Sequence, residues 1–180
     1  MDFEILETNR LILKGLTPAH MKYIFENYTK EEIKKVLGHR SKEDYLKEAY
    51  KFINGYASYN RSFVLFLITE KESNKIFGRC GLHNWNKDHN RAEIGYSIEI
   101  EQFKRQGLMS EALGVIIAYG FDKLKLNRIE AIVGKDNIPS LKLMDKFNFI
   151  QEGILRNHYY LNHKYIDSIM FSILRKEYNL

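Results

Sequence analysis

"RAEIGYSIEIEQFKRQGLMSEAL", Arg91 to Leu113, changes period partway along. In its first half Ala92, Ile94, Tyr96, Ile98 and Ile100 share one face of a strand, and Glu93, Gly95, Ser97 and Glu99 share the other. From Leu108 the spacing becomes helical, with Met109, Ala112, Leu113, Ile116, Ile117, Gly120, Phe121 and Leu124 on one side. The loop between them, Lys104, Arg105, Gln106 and Gly107, delivers the chain into the helix. A strand, a tight glycine loop and a helix start together leave free backbone N–H groups at the positive end of a helix dipole, a site suited to a pyrophosphate. Gly107 lets the backbone approach an anion closely, Ser110 adds a hydroxyl donor, and Glu111 has to face away because its charge repels a phosphate.

The flanking segments set the fold class. "SFVLFLIT" (62–69), "IFGRCGLHNW" (76–85) and "RAEIGYSIEI" (91–100) are apolar runs joined by the polar turns "KESNK" and "NKDHN", the pattern of an antiparallel meander. Upstream, "RLILKGL" reads as a short strand closed by Thr17-Pro18, followed by two helical stretches. Thr29 with Glu32 and Ser41 with Asp44 carry the spacing of helix caps, and Tyr45, Ala49, Phe52 and Ile53 recur at helical intervals. Downstream, "RIEAIVG" is a buried strand and "IPSLKLMDKF" a short helix with Pro139 near its start. The remainder closes as two strands around an aromatic-rich turn, "RNHYYLNHKY". This order predicts an α+β (mixed α/β) architecture in one domain spanning 1–180.

A chain of 180 residues buries roughly 70% of its unfolded surface and needs neither disulfide nor metal to hold a core. The single cysteine, Cys80, cannot pair internally, which favours a reducing compartment. The net charge of +5 is spread through interleaved runs such as "TKEEIKK", the pattern of solvated helix faces. The opening "MDFEILETNR" lacks the core of a signal peptide, and no stretch approaches the ~18 apolar residues of a membrane span. A soluble, cytoplasmic protein is expected.

Several motifs in order resemble the GNAT acetyltransferase superfamily, and within it the RimJ/RimL branch of ribosomal-protein N-acetyltransferases. "KRQGLM" lies in register with that superfamily's acetyl-CoA loop, Gln/Arg-x-x-Gly-x-Gly/Ala. "NIPSLKLMDKFNF" is similar to its Asn-x-x-Ser/Ala helix, "EGILRNHYYLNHKYIDSIMFSILRKEY" to the RimJ/RimL ending, and "ETNRLILKGL" to the opening Thr-x-Arg-Leu-x-Leu. The likeness covers about Thr8 to Glu177. It implies the GNAT fold: a central, mostly antiparallel twisted sheet flanked by helices. It also implies acetyl-CoA as co-substrate. The chain departs from the pattern at Lys104 (usually Gln or Arg), Met109 (often small), Asn148 (Gly), Met144, where many members place a tyrosine that protonates the departing thiolate, and Ile132, where many place a glutamate.

The resemblance assigns roles. Glu93, in an Ala-Glu-Ile strand, is the candidate general base; an α-amine, with a pKa near 8, needs only a modest one. Its alternative is an exposed glutamate paired with Arg91. Ser140 is the candidate that steadies the leaving thiolate, against a role bonded to its own helix backbone. Asn137 bonds the pantetheine arm, caps the helix, or does both. The backbone amides of Ser97, Ile98 and Glu99 are expected free, to bind pantetheine and to polarise the thioester carbonyl. Arg105, Gln106, Gly107, Leu108, Met109 and Ser110 hold the pyrophosphate. Cys80 reads as core. Neither His83/His89 nor His158/His163 has helical i, i+4 spacing or a completing cluster, so no metal is expected.

The expectation is therefore an acetyl-CoA-dependent N-acetyltransferase in which a neutral amine attacks the thioester directly in a ternary complex. By resemblance the acceptor is the N-terminal amine of a ribosomal protein. A polyamine, aminoglycoside or amino-acid amine is the same-class alternative, with acceptor choice placed in the helices between Pro18 and Ala57 and in the terminal hairpin. A GNAT-fold acetyl-CoA sensor without catalysis is the rival class, kept open by Met144. Direct nucleic-acid binding ranks last for want of a fingerprint, no membrane partner is expected, and a homodimer stays open.

Overall fold

The computed structural model describes residues 2–56 and 61–178; Ala57, the far end of the predicted acceptor-choosing region, lies outside them. Strands β1 (Ile5–Glu7) and β2 (Leu11–Leu16) lead into helices α1 (Pro18–Asn27), α2 (Lys30–Leu37) and α3 (Lys42–Asn54). The meander β3 (Ser62–Glu70), β4 (Lys75–Asn86) and β5 (Arg91–Ile98) follows, then α4 (Leu108–Ala118), β6 (Arg128–Gly134), α5 (Ile138–Lys146), β7 (Ile150–Leu161), β8 (Lys164–Leu174) and α6 (Arg175–Tyr178). Among the described residues eight strands form one sheet, ordered β1-β2-β3-β4-β5-β6-β8-β7. Every pairing is antiparallel except β5 with β6.

Local chemistry explains the elements. Thr29/Glu32 and Ser41/Asp44 form reciprocal capping boxes at α2 and α3, and Gly38 ends α2 in the left-handed region at φ 68°. Three helices rather than the expected two precede the meander, because Thr17 builds a third capping box with His20, whose imidazole stands in for the usual Glu. The expected aromatic turn is also corrected. β7 runs on to Leu161, and the reversal is confined to Asn162 and His163, both at positive φ (49° and 61°), as a two-residue hairpin requires. "RKEY" is the short helix α6 rather than strand.

The sheet is packed on both faces. Leu11, Leu13, Phe66, Ile68, Ala92, Ile94, Ile129 and Ala131 meet α4 and α5 on one side. On the other, Leu16 and Leu67 pack with Met21 and Ile24 of α1 and Ile33 and Leu37 of α2. Among the described residues no helix is long and apolar enough to cross a membrane.

Candidate active site

The single parallel pairing is short. β5 and β6 are in register only at Arg91/Arg128, Ala92/Ile129 and Glu93/Glu130, after which β6 continues with β8 and β5 with β4. The sheet therefore opens beyond Glu93. Since successive residues of a strand point their N–H groups to opposite edges, one edge of β5 beyond this point faces no strand. The Glu99 N–H donates to the Phe77 carbonyl at 2.9 Å, so the free amide expected there is already engaged. By alternation Ser97 also faces β4, opposite Arg79, which corrects the second expectation. Ile98, with Tyr96, presents its N–H to the gap, while Ile94, next to the last paired residue, still faces β6.

Past this opening the chain makes a 3₁₀ turn at Glu101–Phe103 and enters the loop. Arg105 and Gly107 both take left-handed angles, φ 60° and 76°. A Cβ at Gly107 would meet nothing nearer than Arg10 Nη2 at 3.8 Å, so the approach to the backbone is open. Leu108 and Met109 are buried, sending their side chains into the core and leaving their main chain outward. The larger Met109 is thus harmless. Among the described residues no main-chain N–H from Arg105 to Ser110 donates to a protein group, and the first bond of α4 comes from Glu111 N–H to the Gly107 carbonyl at 3.0 Å. The Ser110 hydroxyl is buried without a partner among the described residues. This donor set fits a diphosphate.

Glu111 does turn away. Its Oε1 accepts from the Arg10 N–H at 2.9 Å and from the Thr8 hydroxyl, and its Oε2 accepts from Arg10 Nε at 2.7 Å. Arg10 Nη1 also donates to the Gln106 carbonyl at 3.2 Å. The opening Thr-x-Arg therefore ties the first strands to the loop and the first turn of α4, about a hundred residues away. Sequence reasoning gave Arg10 no role.

On the opposite face from α4 lies a cleft of about 390 Å³, lined by Met21, Phe63, Leu82 and Tyr96 and, at its polar places, by Glu48, Arg79 and His83. Glu48 is only 5% exposed and sits 3.5 Å from both Arg79 and Lys51, while Arg79 and Arg40 also reach Glu99 (3.2 and 3.3 Å). Burial raises the Tyr56 phenol, and Glu48 pushes it further. The half-buried His39 ring, lowered by burial and then by Arg79, has no hydrogen-bond partner among the described residues.

Glu93 stands at the other end of this region. Its Oε2 accepts from Asn84 Nδ2 at 2.9 Å, and its Oε1 lies 3.3 Å from His83 Nε2. Burial pushes its pKa up, but contact with His83, the Asn84 amide and the charge of His158 outweigh that and hold it below the ordinary carboxylate value. His158 comes from a bulge in β7, where pairing slips between Leu155 and Tyr159; its Nδ1 is 3.3 Å from Ser168 Oγ. Arg91, the alternative partner for Glu93, instead pairs with Glu130 at 3.0 Å. His83 meets Glu93, and His158 meets Ser168.

At the start of α5, Asn137 Oδ1 accepts the Ser140 N–H at 3.3 Å, so the capping role is present. Met144 is 1% exposed and belongs to the core. The Tyr96 phenol is buried without a hydrogen bond among the described residues; burial raises its pKa, and the Ser140 side chain is the one group that counteracts this. Tyr96 and Ser140 thus face one another where β5 leaves β6. Sequence reasoning placed Tyr96 on the face of Ala92 and Ile94 and gave it no role. Cys80 is fully buried and its thiol is pushed up by burial, as a core residue.

The comparisons agree with this geometry. Residues 10–150 match the family described as "Acetyltransferase (GNAT) domain". An uncharacterized N-acetyltransferase of Bacillus subtilis, YoaA, is 34% identical over 175 residues, 96% of this chain and 98% of that protein. Shorter matches are a putative ribosomal N-acetyltransferase of B. subtilis, YdaF (32%, 57% of this chain and 56% of that one), and the spermidine N(1)-acetyltransferase of Escherichia coli (31%, 52% and 50%). Among solved structures, a GCN5-related N-acetyltransferase from Brucella melitensis superposes with a TM-score of 0.71 at 24% identity, over 99% of this chain and 82% of that one. The open strand pair, the loop of unengaged amides and these likenesses converge: the chain is an acetyltransferase and belongs to the GNAT family.

Proposed function

We propose that this single-domain, cytoplasmic enzyme transfers the acetyl group of acetyl-CoA to the N-terminal amine of a protein, a ribosomal protein by likeness to the RimJ/RimL branch. The observation that carries the donor half is the run of unengaged N–H groups from Arg105 to Ser110, held by the Arg10–Glu111 clamp. Bound there, acetyl-CoA supplies a thioester whose acetyl carbon a neutral amine attacks directly. Asn137 and the β5 edge hold the pantetheine arm. The Ile98 and Tyr96 amides face the gap and would stabilise charge developing on the carbonyl oxygen. Ser140, beside Tyr96, steadies the thiolate as the C–S bond breaks, and Glu93 anchors the path by which the amine proton leaves.

Two features favour an α-amine over a polyamine. A depressed carboxylate is a weak base, and an α-amine near pKa 8 gives up its proton far more readily than an alkylamine near 10.4. At the charged end of the cleft Glu48 is already paired with Lys51 and Arg79, and Glu99 with Arg79 and Arg40, so these carboxylates are occupied by the protein's own cations rather than open to a polycation. The polyamine reading rests on the spermidine enzyme among the relatives. Purified protein, labelled acetyl-CoA and a panel of ribosomal-protein N-terminal peptides and polyamines decide the matter. Release of CoA with one acetyl gained on a peptide α-amine is expected. Acetylation confined to polyamines overturns the acceptor assignment, and tight acetyl-CoA binding with no CoA release for any amine makes the protein a sensor.

A further inference from the structure

The hairpin joining β4 to β5 sets His83 directly across from Glu93, and the register breaks immediately beyond this pair. His83 Nε2 lies 3.3 Å from Glu93 Oε1. A carboxylate only accepts, so Nε2 carries the proton and Nδ1 is the basic nitrogen of the neutral ring. The ring lies over Gly95: a Cβ there would come within 2.9 Å of His83 Cε1 and 3.1 Å of Nδ1. A glycine at 95 is what lets the imidazole rest against β5. His83 lines the cleft and keeps 46% of its side chain exposed, whereas Glu93 keeps 15% and has both oxygens engaged.

We propose that His83 Nδ1, rather than Glu93, is the group that receives the amine proton, with Glu93 as the positioning residue that fixes the ring's tautomer and Gly95 as the residue that makes room for it. This rests on the acetyltransferase reading above and deepens it. The amine first gives one proton to solvent and becomes neutral. As its nitrogen bonds to the acetyl carbon and the C–S bond breaks, the nitrogen's surplus proton passes to Nδ1 and the sulfur leaves as thiolate, which takes up a proton near Ser140. His83 then returns its proton to solvent. The charged and titratable groups around the ring are Glu93 on β5, His158 on the β7 bulge, and Arg79, Glu48, Lys51 and Tyr56 of the cleft.

The test measures kcat/KM against pH, with acetyl-CoA affinity by calorimetry, for wild type, His83→Gln, His83→Ala, Glu93→Gln and Gly95→Ala. His83→Gln keeps a donor for Glu93. It is expected to lose on the order of 10²-fold in kcat with acetyl-CoA affinity unchanged, and its kcat/KM should follow only the deprotonation of the amine. Added imidazole restores part of the rate in His83→Ala, a rescue that a purely structural histidine would not show. Glu93→Gln loses less than His83→Gln, and Gly95→Ala lowers kcat with both partners present. Active wild type with His83→Gln equally fast and no imidazole rescue in His83→Ala overturns the proposal and leaves the acetyltransferase reading standing. Wild type that releases no CoA overturns both.

Discussion

Replacing Arg10 with lysine keeps the charge and removes the fork. Arg10 reaches Glu111 through Nε and Nη2, each at 2.7 Å, while Nη1 holds the Gln106 carbonyl at 3.2 Å. A lysine head can serve one of these partners but not both. Charge-assisted hydrogen bonds contribute about 1.5–3 kcal/mol when shielded. Arg10 is 43% exposed and Glu111 20%, so water screens much of this, and the loss is about 1 kcal/mol. For a chain of this length that lowers Tm by about 2–4 °C. If the clamp pre-orders the loop, the same energy must be supplied on binding, and acetyl-CoA Kd rises about fivefold. Thermal melts and calorimetric titration with acetyl-CoA read the two effects separately, and a double-mutant cycle with Glu111→Gln isolates the pair. A lower Tm with acetyl-CoA Kd within about twofold of wild type would refute the reasoning, leaving the clamp to brace the fold and not the loop.

Other outcomes follow from the same geometry. Glu152, paired with Arg128 (2.6 Å) and Ser172 (2.7 Å), is held down to about 2 chiefly by the Arg128 hydrogen bond. A depressed carboxylate stabilises the fold above its unfolded value and loses that contribution as pH falls through the folded one. Acid unfolding followed by circular dichroism should therefore be less steep in Glu152→Gln between its ordinary value of 4.5 and about 2. Met144→Tyr places a phenol in the core and should cost about 1–3 kcal/mol in denaturant melts with no gain in kcat; a faster, equally stable enzyme would show that the side chain reaches the thiolate. Cys80 should resist a thiol reagent in the native protein and react fully once unfolded, since burial both shields the thiol and raises its pKa.

The meander, α4, β6 and α5 are legible in the sequence because period and burial coincide there: alternation in "RAEIGYSI" gives way to helical spacing at Leu108, and structure follows both. α1 is not, since its cap uses His20 where pattern reasoning looks for Glu or Gln. The β7–β8 hairpin is blurred by polar residues on an exposed edge strand, where burial imposes no alternation; only the left-handed Asn162 and His163 mark the reversal. In the site, the loop's main-chain donors could be foreseen from Gly107. The partners of Glu93 could have been: counting back through "NKDHN" pairs residue 83 with 93. The clamp on Glu111 could not, because nothing local links Thr8 and Arg10 to a helix so far along the chain.

The break between β5 and β6 makes the sheet a partition with one window. On the proposed assignment the donor cradle lies on the side of α4 and α5, and the acceptor cleft opens beneath α1 and α3. Neither reactant then obstructs the other's entry, and they meet only through the window. An inhibitor that joins the two must carry a linker thin enough to thread an opening one strand wide, and a bulkier tether will occupy one side at a time.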